Sequence, residues 1–325
     1  MDLSKLFEAK SKQLFWRPLD PSHVVGLAPP QPFQKDQAYF VIRLVEMYVA
    51  TARKLWHQMY PVLHSYVECG NVQHNAISGP AQLRELGDVN LDRVSNWNQV
   101  LAGPLPYDGE DVSLIAGLYS VPGHDSAKAL IDTLSALSTL AGPSYAKLIP
   151  IAGVVKTGID SVLGLDQAAL HLGVCDTFSS SSGPFTPGYF VGISAPEQSV
   201  DPAQLWLVNG RLLKGSTHLT SAAYSDHDYM VIAIERLDSR DDWHTLPGVA
   251  EFLPRFGNIM SDVEFTAAEK RSRLAGLWAP FLQMLDESPQ LTDPDREQIA
   301  ARVGADFTRR LDAQEDGNPF LKKSA

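Results

Sequence analysis

The sequence predicts an α+β protein: an antiparallel sheet meander packed with a helical hairpin and followed by a C-terminal helical extension. Three observations carry this reading. Strand-like runs follow one another between residues 168 and 237, two of them joined by Asn209-Gly210, the strongest short hairpin signal in the chain. Two small-residue segments with helical spacing lie between 126 and 164, separated by the Gly142-Pro143 break, and read as a helical hairpin. After Trp243 every periodic segment is helical. Strands and helices do not alternate as a βαβ series would require, which points away from a parallel sheet.

Residues 1–35 read as an extended arm. Trp16-Arg-Pro and Ala28-Pro-Pro-Gln-Pro fix φ and disfavour helix at the preceding positions. Asp36 is a candidate N-cap, and Val41, Leu44, Tyr48, Leu55, Met59 and Val62 recur at three, four and seven residues. That spacing predicts a helix from Tyr39, bent or ended by Pro61, although Tyr39-Phe-Val-Ile42 also reads as a strand. Residues 71–102 are polar and carry no clear period. Val112 to Val121 is a short apolar run bounded by turn residues, as a buried strand would be. Ser126 caps the first helix of the hairpin, and Gly164 ends the second.

Strands are then expected at Ala168–Phe178, Tyr189–Ser194, Leu205–Leu213 across the Asn-Gly turn, and Tyr229–Leu237. Ser179 to Pro187 is a loop. Helices follow at Leu246–Met260, at Ala267–Leu285 entered from Thr266 or Glu264, and from Asp293 or Asp295 through Leu311. The expected organisation is the arm at 1–35, an α+β core at 36–245, and a helical extension at 246–325 packed on that core.

Composition narrows the function classes. With 325 residues and 44% hydrophobic content, the chain is long enough for one large core or two ordinary ones. The formal net charge of -11 argues against general nucleic-acid binding, which needs a basic face to displace counterions from phosphates. Lys270-Arg-Ser-Arg273 is a local basic patch that a solvated helix face explains. Two cysteines, Cys69 and Cys175, make no disulfide framework, and the N-terminus lacks an apolar signal core. Both point to the cytoplasm. Within the hairpin the longest uncharged run is Thr133 to Ala146, shorter than a membrane span, so no constitutive membrane insertion is expected.

Candidate chemistry is sparse. Asp108, Glu110 and Asp111 surround Gly109 in an acidic loop, the composition a hard cation favours, but the spacing departs from the EF-hand pattern. Ser225-Asp-His-Asp228 and Asp238-Ser-Arg-Asp-Asp-Trp-His244 flank the last strand. Carboxylates with histidine at a strand end can bind metal or exchange protons. His171 and Cys175 share a strand face but stand roughly 13 Å apart, too far for a hydrogen bond. Both cysteines read as buried structural thiols. Gly192-Ile-Ser194 lacks the second glycine of a nucleophile elbow, and no P-loop or dinucleotide-binding glycine pattern occurs.

The remaining signal is aromatic. Trp97, Tyr107, Phe185 and Trp243 fall in turn-rich segments expected at the surface, and aromatic side chains are enriched at interface hot spots. The sequence therefore reads first as a non-catalytic interaction subunit of a larger cytoplasmic assembly. It would bind a protein partner or a second copy of itself and require no cofactor. Two alternatives stay open: a metal-dependent or acid/base hydrolase built on the acidic loops, and a membrane-active effector using residues 126–164.

Overall fold

A computed structural model describes residues 14–27, 29–50, 53–54, 57–70, 72–78, 93–122, 169–179 and 183–315. The expected helical hairpin at 126–164 lies outside these residues. The chain divides into two units. The first comprises residues 1–33, 40–103 and 108–236; the second comprises residues 34–39, 104–107 and 237–325.

The first unit is built on antiparallel sheets. One contains β1 (Phe15–Pro18), β9 (Gly188–Ile193), β13 (Tyr229–Leu237), β2 (Tyr39–Tyr48) and β6 (Arg93–Pro106), in that spatial order. The next runs β3 (Arg53–Lys54), β4 (His57–Cys69), β7 (Val112–Pro122), β8 (Ala169–Phe178), with β5 (Val72–Ser78) also paired to β4. A small sheet orders β10 (Leu205–Val208), β11 (Arg211–Lys214) and β12 (Ala222–Ala223) as a consecutive meander. The β10–β11 turn has φ 51° at Asn209 and 73° at Gly210, the doubly left-handed backbone that makes Asn-Gly a hairpin signal.

Alternation fixes the layers. On β13 and its partner β9, Met230 and Ile232 share a face with Gly192, Phe190 and Trp16. That face meets β8. A Cβ on Gly192 would sit 3.2 Å from Leu172, the Phe178 and Phe190 rings meet edge to face at 5.0 Å, and the Trp16 indole donates to Asp176 at 2.7 Å. The opposite face presents Phe15, Val191, Ile193, Tyr229 and Val231. These form one buried cluster with Leu205, Leu207, Leu212 and Tyr224 around the small sheet.

The helix expected from Tyr39 to Val62 is instead β2, the short β3 and the first part of β4. In β2, Tyr39 to Ile42 are all buried because the strand lies inside its sheet with both faces covered. A strand buried on both faces reads as a continuous apolar run, and such a run produces three- and four-residue spacings without being helical. Asp36 is correspondingly no N-cap; it occupies a turn at φ 57°. Pro61 falls in the stretch of β4 that pairs with β7 but with neither β3 nor β5, so the sheet loses little by its missing N–H. The polar stretch 71–102 contributes β5 and most of β6. Of the segment read as an arm, residues 15–18 form a strand at the edge of the sheet among the described residues, and Pro21–His23 form a turn of 3-10 helix.

The second unit carries three helices, α1 (Pro247–Ser261), α2 (Ala267–Asp286) and α3 (Asp293–Glu315), near the boundaries the periodicity implies. Val249, Phe256, Met260, Leu274, Phe281, Leu285, Ile299 and Val303 form its core. Thr266 starts α2 with a reciprocal capping box to Glu269. Lys270, buried among the helices, donates to the Met260 carbonyl at the end of α1 (2.9 Å) and to Gln314 on α3 (3.2 Å). A cation there also meets the negative end of the α1 dipole.

Candidate functional site

The acidic loop folds over Gly70. The Asp108 carboxylate accepts the Glu110 amide at 2.9 Å and lies 3.5 Å from the Cys69 sulfur. A Cβ on Gly70, which has φ 55°, would come within 2.6 Å of Asp108 and 3.3 Å of Glu110. Burial, and after it the Asp108 charge, pushes the Cys69 thiol up to about 12, so this cysteine stays protonated. Asp111 is exposed at the start of β7. Among the described residues no group of three or more His, Cys, Asp or Glu side chains is placed to hold a metal ion. Cys175, expected to be buried, is exposed: it follows buried Val174 on β8, and strand alternation turns it to the other face of the sheet.

The four aromatic candidates separate. Tyr107 and Phe185 are buried rather than superficial. Tyr107 pairs through its backbone with Ala38 and Asp36 inside the second unit. Phe185 stacks on Phe33 at 4.7 Å and meets Phe40 edge to face at 5.6 Å. Trp243 is half-buried in the helical unit, with the Arg302 guanidinium 5.6 Å from its ring. Trp97 lies in β6, and its side chain is outside the described residues.

Of these four, Phe185 lines a groove of about 900 Å³ in the first unit. The groove follows edge strand β1 and is walled by Phe15, Phe178, Phe185 and Phe190, with Arg17, Asp20 and His23 among its polar groups. Arg17 is paired with Glu197. Asp20 accepts both the hydroxyl and the amide of Ser22, which hold its carboxyl below the usual value. The His23 ring stacks on Trp206 at 4.0 Å. Leu19 donates its amide to Tyr189 on β9. Strand alternation therefore turns the Trp16 amide and carbonyl to the other edge of β1, where no described strand pairs.

A second constellation lies between the two large sheets. β7 and β8 pair in register up to Leu118↔Leu172, then resume at Tyr119↔Leu170, so His171 is the extra residue of a β-bulge. The bulge re-aims its ring. His171 Nδ1 lies 2.7 Å from an Asp228 carboxylate oxygen, and Nε2 lies 2.6 Å from the Ser120 hydroxyl. The other Asp228 oxygen accepts the Ala50 amide at 2.6 Å, and the Asp228 carbonyl accepts the Ser194 amide at 2.9 Å. Ser120 is 3% exposed, and the His171 and Asp228 side chains are 11% and 16% exposed.

Sequence reasoning named Asp228 within an acidic cluster and tested His171 only against Cys175, which the strand does hold apart. It missed Ser120. The three residues are separated by 51 and 57 positions, and the bulge that unites them leaves no local motif. No protein-family model, curated protein or solved structure matches the chain.

Proposed function

We propose that this protein is a binding module that takes an extended apolar segment of a partner protein into the groove along β1. The observation that carries the reading is the groove itself. It has the size of a ligand site, aromatic walls, a few polar groups at its rim, and an edge strand along it. An extended peptide can add to such an edge through its backbone while alternate side chains fill the apolar pocket. The edge is short and Pro18 supplies no amide, so Trp16 provides the outward N–H. Specificity then rests on the phenylalanine walls. Among the described residues no helix is long and apolar enough to cross a membrane, and the proposed partner is a protein segment, not a lipid.

The test is selection of binding peptides from a random display library, followed by solution affinity measurements. Gly188 lines the groove, and a Cβ there meets nothing within 4 Å, so Gly188→Phe starts its side chain in open space and is the variant chosen to fill the groove, with its melting temperature checked against the native chain. Selected peptides should bind the native chain and weaken at least tenfold against Gly188→Phe. N-methylation of alternate peptide amides should weaken them similarly. Failure to select any peptide, or equal binding to the filled variant, would reject the groove as the binding site.

A further inference from the structure

The second constellation supports a separate activity. We infer that Ser120, His171 and Asp228 form a nucleophilic triad that takes an acyl group from an ester of a short aliphatic acid. The assignment rests on which atoms meet. Asp228 holds Nδ1, so that nitrogen carries the proton and Nε2 is left as the acceptor facing the Ser120 hydroxyl. This is the tautomer a general base requires. A ring turned over, or bonded through one nitrogen only, would make an ordinary polar tie between sheets. The Ala50 amide fixes the carboxylate that fixes the ring.

The chemistry balances without a cofactor. The Ser120 O–H proton passes to His171 Nε2 as Oγ bonds the acyl carbon. The ester C–O bond breaks, and His171 returns the proton to the departing alkoxide. Water then attacks the acyl-serine, giving its proton to His171, which restores it to Ser120 as the acid leaves. The surroundings select the substrate. Ser120 is almost fully enclosed, and its same-face neighbours are Leu118 and Leu172, both buried. An atom this enclosed calls for a slim acyl group rather than a folded polypeptide.

The experiment uses the full chain and a small fluorophosphonate, in which Ser120 Oγ would bond phosphorus as fluoride leaves with the proton. Intact mass and peptide mapping should show one adduct on Ser120, absent from Ser120→Ala. His171→Gln keeps hydrogen-bonding groups but supplies no base. It should melt near the native temperature and label at least about a hundredfold more slowly. Asp228 is a positioning residue, so Asp228→Asn should lower the labelling rate and alter its dependence on pH, a response that loss of packing alone does not produce. p-Nitrophenyl acetate and butyrate should be turned over by the native chain and not by Ser120→Ala. No adduct on Ser120 in the folded native chain overturns the assignment. So does an adduct formed equally fast in His171→Gln, since Ser120 would then react without its base.

Discussion

His64 shows how one side chain can set the pH response of a sheet. It sits on β4 opposite Gly117, its Nε2 is sealed from solvent, and it has no hydrogen-bond partner among the described residues. Burial holds its imidazole at about 4, below the ordinary value of 6.5. The unfolded chain therefore takes up a proton first as pH falls. The stability due to neutral His64 is intact above about 6.5 and is lost progressively toward pH 4. The full loss is up to ~3 kcal/mol. Urea unfolding at pH 7, 5.5 and 4.5 should show this slope, and His64→Met should flatten it; an unchanged slope in the variant would refute the assignment. The histidine was visible in the sequence, but its isolation was not. Whether a polar atom has a partner depends on chains brought together from far apart, as His171 shows in the opposite sense.

At the scale of elements, legibility followed the locality of the signal. The Asn209-Gly210 hairpin and the start of α2 were readable because a few adjacent residues determine each. β2 was misread because burial on both faces erased its alternation. Thr266 offers a direct check on the local kind. Its hydroxyl accepts the Glu269 amide, and the Glu269 carboxylate accepts the Thr266 amide at 2.8 Å. Thr266→Ala should cost ~1 kcal/mol, and Thr266→Ser much less. Hydrogen exchange in the first turn of α2 should report both. The Thr266 amide, and after it the Thr266 hydroxyl, hold the Glu269 carboxyl below its usual value. Its contribution is thus present above the ordinary carboxylate range and fades as pH falls through the lowered value.

The whole molecule is less modular in sequence than its helices imply. The helical unit is not simply the C-terminal stretch, because residues 34–39 and 104–107 belong to it. Tyr39 is the tie. Its hydroxyl donates to buried Asp295 at 2.7 Å and accepts the Thr292 amide at 3.1 Å, while Asp36 accepts the Asp293 amide at 2.9 Å. Tyr39→Phe leaves two buried groups short of a partner and should cost ~2 kcal/mol or more, seen as faster exchange at the start of α3. Unchanged exchange there would show that the tie carries no stability. No composition shift marks this arrangement, so an arm, core and extension in chain order was the natural reading of the sequence.

The position of β13 has a consequence for biosynthesis. It lies between β9 and β2, although β2 leaves the ribosome far earlier. One edge of β2 must therefore wait, unpaired and apolar, until residues 229–237 emerge. Sheet closure is consequently a late event in translation, and the nascent chain is an aggregation hazard until then. A pause or truncation before Tyr229 would leave a chain that holds most of the strands but cannot complete the sheet.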